Sequence, residues 1–363
     1  MTPHPRVIAV TTLRAVVACF VSVVASGCAL GGPFSDGPYI NLPQLNRCLK
    51  GRVDDYTANH GCDYRFFSPA LGQKRDVYVY VPPGYDPELR YPIVYWMHGF
   101  AQDEKSFLEI ISFFDKEMAE GKLPKSVMVA ADGSPKGRAS YFDAGTFYLN
   151  SPLGNFEDYI VTDIWNHVVT RYSIRPEREA HVLAGASMGG FGAYNLGIKH
   201  RKQFGVVIGI MPPLNTRYSD CHGRTRVDFD PNCFELNERY RPFEPVARFY
   251  GGLITIRKRR VTSDIFGEGP DVVQKIAAQN PAEMLTTYDV KPGELEMFAG
   301  YGSGDEFNFD AHVQSFAYMA KFRGIEVKTV CIPGGGHNRE TGKRMLPDLA
   351  EWIRPRLEKY APK

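Results

Sequence analysis

The apolar run His181-Val182-Leu183-Ala184 passes directly into Gly185-Ala186-Ser187-Met188-Gly189-Gly190, and a helical pattern, Phe191 to Lys199, follows. A strand that turns into a helix within so few residues brings backbone against backbone. Flanking Cβ atoms would collide, and glycines at both ends of the pentapeptide relieve the clash. The serine between them is held on a sharp turn, and the following helix aims its first N–H groups at charge developing beside it. An activated hydroxyl nucleophile needs that geometry. Ordinary turns share the letters without the strand and helix on either side.

A lone hydroxyl is a weak nucleophile, so the rest of the chain must supply a base and an acid to orient it. His337 in Pro333-Gly334-Gly335-Gly336-His337-Asn338 follows an apolar strand and sits in a glycine-rich loop that lets an imidazole reach inward. The other reading of His337 is a histidine in a surface turn; His167 and His200 fall on helices. For the acid, Gly300-Tyr301-Gly302-Ser303-Gly304-Asp305-Glu306 leaves another apolar run, Leu295 to Ala299. Asp305 is the choice; Asp310 is expected to cap a helix starting at Ala311, and Glu306, one position off, to point elsewhere. The chain order Ser187, Asp305, His337 is the one α/β-hydrolases use. Donors for an oxyanion are expected from the backbone of Met188 and of Phe100 in His98-Gly99-Phe100-Ala101, with His98 holding that loop.

The remaining apolar runs frame these loops. Strands are predicted at Tyr64 to Ser68, Arg75 to Val81, Pro92 to Met97, Ser126 to Ala131 and Gly205 to Ile210, as well as at His181 to Ala184, Leu295 to Ala299 and Val327 to Ile332. Helical patterns fall between them at Glu104 to Glu120, Phe156 to Tyr172, Phe191 to Lys199, Ala311 to Phe322 and Met345 to Lys359. Such alternation predicts an α/β fold with a doubly wound, mostly parallel sheet. The stretch from Pro212 to Pro281, rich in Arg, Asp, Pro and Gly, reads as a polar insertion over the sheet's carboxyl edge, where ligands bind in such folds.

The amino terminus has the layout of an export signal: Arg6 and Arg14, the apolar run Ala15 to Val24, then Ala25-Ser26-Gly27-Cys28. Two outcomes are open, simple secretion or processing as a lipoprotein with membrane attachment through a lipidated Cys28. The chain divides into residues 1–27 as signal, 28–45 as linker and 46–360 as one domain, with the insertion at 212–281. In an oxidising compartment Cys48–Cys62 and Cys221–Cys233 make sense as local disulfides closing short polar loops, while Cys331 reads as a buried thiol. No Cys-x-x-Cys spacing suggests zinc. With 43 basic and 41 acidic side chains the net charge is +2, which gives no reason to expect nucleic acid, and Arg257-Lys258-Arg259-Arg260 reads as a solvated loop.

The segments DVYVYVPPGY from Asp76, PIVYWMHGF from Pro92, NFEDYIVTDI from Asn155 and AGASMGGFGA from Ala184, with Gly300 to Glu306 and Pro333 to His337, span most of Asp76 to Trp352. Together they resemble the esterase D-like branch of the α/β-hydrolases, which includes S-formylglutathione hydrolases, feruloyl and acetyl-xylan esterases, siderophore esterases and mycolyltransferases. The resemblance implies a serine hydrolase or acyltransferase that needs no cofactor, with Ser187, Asp305 and His337 as triad and Phe100 and Met188 as oxyanion donors. It also places Ser140-Tyr141-Phe142-Asp143-Ala144-Gly145 where the resembled enzymes line a substrate pocket; Tyr141 and Phe142 either stack on substrate there or cover the core. The expectation is an exported serine esterase acting on a small-molecule or carbohydrate ester, acylated carbohydrate with feruloyl or acetyl esters above all. The alternatives are an acyltransferase to a sugar or lipid alcohol and a non-catalytic binding module.

Overall fold

Eight segments, most of them apolar or alternating, assemble into one sheet in the computed structural model, which describes residues 41–362 apart from 142, 250, 251 and 253. The strands are β1 Arg52–Tyr56, β2 Val77–Val81, β3 Ile93–Met97, β4 Val127–Ala131, β5 His181–Ala186, β6 Val206–Ile210, β7 Glu296–Gly302 and β8 Lys328–Ile332. Their order is β1-β2-β4-β3-β5-β6-β7-β8. Only the β1–β2 and β2–β4 pairs are antiparallel; β4-β3-β5-β6-β7-β8 run parallel. Strands β2, β4 and β6 are buried at every position, which explains their near-continuous apolar sequences.

Helices cover both faces. On one, Ile93, Tyr95 and Met97 pack with Phe156, Ile160 and Ile164 of the helical segment 156–169 and with Leu196 of helix α2, Met188–Lys199. Helix α3, Phe309–Phe322, joins this face further along through Val313 and Phe316 beside Val207 and Met297. On the other face, Val94 and Met128 meet Phe114 and Met118 of α1, Ile111–Ala119, and Leu349 and Ile353 of α4, Arg339–Glu358. No helix among the described residues is long and apolar enough to cross a membrane.

Differences from the sequence reading have local causes. The segment 104–120 breaks at Ile110 into a 3₁₀ turn, Glu104–Glu109, and α1, and the segment after Asn155 carries a π turn at Tyr159–Ile164. Helix α4 begins before Met345 because the Asn338 side chain accepts the Thr341 N–H and starts the helix there, with Pro347 accommodated inside it. The insertion is not irregular throughout. It carries a hairpin of Pro245–Phe249 with Ile254–Arg257 and helices Lys258–Phe266 and Val272–Gln279.

Cys221 and Cys233 form a disulfide, as expected. Cys48 and Cys62 do not: both are free and exposed. Cys48 ends a short helix, Leu42–Cys48, and the five residues of β1 then carry the chain about 16 Å onward before Cys62 is reached. The linker predicted over 28–45 therefore gives way to this helix at Leu42. Cys331 is exposed as well, because β8 is an edge strand with little cover. The signal over 1–27, Cys28 and most of the linker lie outside the described residues.

One buried group sets a pH dependence. His167 packs edge-on against Tyr56, with ring centroids 4.6 Å apart, and burial, helped by the nearby Arg171, pushes its imidazole down to about 4. The folded value lies below the unfolded one near 6.5. Its contribution is therefore present above pH 6.5 and lost as pH falls toward 4, at about 1.4 kcal/mol per pH unit. Urea unfolding between pH 7 and 4.5 should show a shallower acid slope, by about that amount, in His167→Phe than in the wild type.

Candidate active site

The turn after β5 is set by how closely three backbones approach. A Cβ on Gly185 would lie 2.4 Å from the carbonyl carbon of Gly189, and one on Gly189 would lie 2.0 Å from the Met97 carbonyl oxygen at the end of β3. With hydrogen at both positions α2 can start directly beneath the strand ends. Ser187, between them, takes φ 53° and ψ −117°, a conformation costing an L residue about 1–3 kcal/mol. Its N–H donates to the Ile210 carbonyl at 2.8 Å, pinning the turn to β6.

The loops after β7 and β8 arrive at the same sheet end and are bonded to one another. Gly304 N–H donates to the Gly335 carbonyl (2.9 Å) and Gly334 N–H to Ser303 Oγ (2.9 Å). His337 Nε2 stands 2.9 Å from Ser187 Oγ, and its Nδ1 stands 2.7 Å from Asp305 Oδ2. The other oxygen, Asp305 Oδ1, accepts the Phe307 N–H at 2.8 Å. In this arrangement Nδ1 carries the proton donated to the carboxylate, leaving Nε2 to accept the serine hydroxyl. Phe307 and Phe309 stand over the imidazole with centroids 4.8 and 5.2 Å away.

The loop after β3 closes the opposite side. A Cβ on Gly99 would lie 3.6 Å from Ser187 Cβ, so this loop lies against the serine, and it turns at Ala101, φ 59°. His98 holds it as expected. Its Nε2 accepts the Gly133 N–H at 2.8 Å, its Nδ1 donates to the Gly99 carbonyl at 2.9 Å, and the Tyr148 hydroxyl donates to the His98 carbonyl. None of the described hydrogen bonds uses the N–H of Phe100 or of Met188.

Two acids stand differently from expectation. Glu306 faces the site: its Oε2 accepts the backbone N–H of His337 at 2.6 Å, buttressing the loop that carries the imidazole. Helix α3 begins at Phe309, two residues earlier than a cap at Asp310 requires. Asp310 is buried in its first turn, and that burial raises its carboxyl above the usual range.

A cavity of about 140 Å³ opens beside Ser187. Phe100, Phe147, Phe191, Phe307 and Phe309 line it from the side of the main sheet, and Val246, Ile256 and Phe266 of the insertion form its roof. Tyr141, predicted as a substrate contact, is instead half exposed and outside this lining, its carbonyl receiving Arg260 Nη2; Phe142 lies outside the described residues. The only signal for the roof was the apolar residues scattered through a polar stretch. Two polar groups also border the cavity. Burial lowers the Lys258 ammonium, with Glu244 opposing, and burial pushes His312 down to about 3, so that imidazole is neutral near pH 7.

The family model described as "Putative esterase" matches residues 68–348. The chain belongs to the esterase family. A ferulic acid esterase superposes with a TM-score of 0.61 at 18% identity, covering 85% of this chain and 99% of that one. An S-formylglutathione hydrolase from Agrobacterium tumefaciens gives 0.59 at 16% identity, over 85% and 96% of the two chains. A CE1 ferulic acid esterase from Anaeromyces mucronatus, in complex with ferulic acid, gives 0.52 at 17% identity, over 85% and 89%. At these identities the likeness is one of fold, the α/β-hydrolase sheet. The family is one of esterases, and the fold is that of the α/β-hydrolases.

The elbow of this esterase tolerates no added atom at Gly189. Gly189→Ala should lower the urea-unfolding free energy by about 3 kcal/mol, because the obstacle is backbone rather than a flexible side chain. Gly304→Ala is the control: its Cβ would meet nothing nearer than 3.5 Å, and stability should stay within about 0.5 kcal/mol.

Proposed function

We propose that the esterase works through an acyl-enzyme formed on Ser187, and that its substrate is a carbohydrate bearing an aromatic acyl group of the feruloyl type. The observation that carries this reading is the unbroken line from Ser187 Oγ through His337 to Asp305, opening onto an aromatic-lined cavity.

Ser187 Oγ attacks the ester carbonyl as its proton passes to His337 Nε2, while Asp305 holds the ring and balances the charge that forms on it. The Phe100 and Met188 N–H groups, which the described hydrogen bonds leave unused, donate to the tetrahedral oxygen, each worth about 3 kcal/mol of barrier. The alkoxide leaves with the proton held on Nε2. Water then gives a proton to the same nitrogen, attacks the acyl carbon and frees the acid, and the proton returns to Ser187.

An acetyl group would occupy little of the cavity, whereas a hydroxycinnamoyl group buries a ring among phenylalanines, where edge and face contacts add to the area buried. The ferulic acid bound by the Anaeromyces mucronatus relative supports the same acyl class. Export accords with the Cys221–Cys233 disulfide and with the basic and apolar composition before Cys28.

Ser187→Ala should lower kcat by roughly five orders of magnitude and Asp305→Asn by about four, with folding unchanged by circular dichroism. Methyl ferulate should exceed methyl acetate in kcat/KM by about a hundredfold. Equal values for the two esters would remove the aromatic-acyl assignment, and undiminished activity in Ser187→Ala would remove the acyl-enzyme itself.

A further inference from the structure

Ser187 lies on the border of two cavities, and only one of them has been used above. The second, of about 210 Å³, runs between the loop after β3 and the start of α4. His337 lines this cavity and is absent from the lining of the aromatic one. That asymmetry decides which half of an ester lies where. In a serine esterase the imidazole delivers its proton to the departing alcohol oxygen, so the alcohol must leave on the side that His337 faces. The acyl group, which stays on Ser187, takes the other side.

The second cavity differs in chemistry as well. Glu109 and Arg339 form an ion pair across it at 2.9 Å, and Lys343 stands on the same rim close enough to act on the Glu109 carboxylate. Trp96 and Ser106 also line it. Trp96 is only 7% exposed, and its Nε1, like Ser106 Oγ, is buried with no hydrogen-bond partner among the described residues. Unpaired buried polar atoms are costly and mark places where a ligand or an ordered water supplies the partner. Acceptors, donors and both charge signs around one small space suit hydroxyl groups, which donate and accept at once. An apolar alcohol would leave Trp96 Nε1 and Ser106 Oγ unpaired.

Building on the acyl-enzyme reading, we infer that this cavity is the site for the alcohol half of the ester, that the alcohol is polyhydroxylated, and that Glu109, Arg339 and Lys343 select it. Microscopic reversibility adds a second activity, acyl transfer to a sugar hydroxyl docked there. The acceptor hydroxyl gives its proton to His337 Nε2 as its oxygen bonds the acyl carbon. The Ser187 Oγ–acyl bond breaks, and Oγ recovers the proton.

The test uses 4-nitrophenyl butyrate as acyl donor and methyl β-xylopyranoside as acceptor, with butyrate and butyryl xyloside separated by chromatography. Wild type should form butyryl xyloside beside butyrate. Lys343→Ala and Glu109→Gln should each cut the xyloside-to-butyrate ratio about tenfold. Far-ultraviolet circular dichroism and a thermal midpoint matching the wild type report that each variant is folded. Nitrophenol release without butyryl xyloside, or with an unchanged ratio in both variants, overturns the alcohol site and leaves the acyl-enzyme standing. A wild type that releases no nitrophenol overturns both.

Discussion

At this sheet's carboxyl end Gly189 lies so close to the Met97 carbonyl that a Cβ there would stand 2.0 Å from its oxygen. If α2 stood farther from β3, Ser187 would have room to relax into ordinary backbone geometry, and its hydroxyl would no longer be presented above the strand ends. The neighbours overdetermine the strained turn instead: β6 holds its N–H, and α2 is buried along nearly its whole length. Glycine is a poor helix former, yet Gly189, Gly190, Gly192 and Gly197 all sit in α2, because tertiary packing rather than propensity stabilises a helix in this position.

Behind the loop that carries Phe100 lies a buried set of charges with a related purpose. Arg75 is fully buried, and its Nη1 donates to Asp132 at 2.9 Å and to the Ser134 carbonyl at 2.7 Å. Burial alone would raise the Asp132 carboxyl, but the contact to His98 and the Arg75 charge hold it below the usual range. Glu104 responds in the opposite direction: burial first, then the carboxylates of Asp132, Asp103 and Asp76, drive it well above the usual range. The ionised form of Asp132 is thus favoured where it faces His98, while Glu104 holds its proton more tightly. Such a network adds little net stability compared with apolar packing, but it fixes the orientation of the His98 ring and so of the loop.

What the residues announced and what they concealed divide along physical lines. Ser187, Asp305 and His337 stand at strand ends in glycine-rich loops, so local sequence carried the signal, and the structure brings Ser187 and Asp305 each within hydrogen-bonding reach of His337. Strand β1 was missed because Val53 is its one buried residue and the rest of Arg-Val-Asp-Asp-Tyr reads as loop; pairing with β2 makes it a strand. Glu306 was dismissed by counting from Asp305, yet a carboxylate one residue along reaches a backbone N–H in the facing loop, a contact set by how two loops dock. The aromatic cavity was illegible for the same reason. Val246, Ile256 and Phe266 are ordinary apolar residues in a polar stretch until the insertion folds over the sheet.

That insertion does more than roof a cavity. Arg226 donates from Nη1 to the Val246 carbonyl and from Nη2 to the Glu306 carbonyl, so one guanidinium joins the roof to the loop that carries Asp305. Asn308 at the start of α3 donates to the Val227 carbonyl, adding a second tie between the same two segments. Glu306 in turn holds the His337 backbone. The roof of the aromatic cavity and the loops that position the imidazole are therefore one hydrogen-bonded unit. A roof displaced by a poorly fitting acyl group pulls on the carboxylate loop, and a displacement of about 1 Å at the reacting atoms is worth orders of magnitude in rate. Under the acyl-enzyme reading proposed above, binding and turnover are coupled: acyl groups that pack the roof well also leave the imidazole correctly aimed, and those that do not are discriminated in kcat as well as in KM.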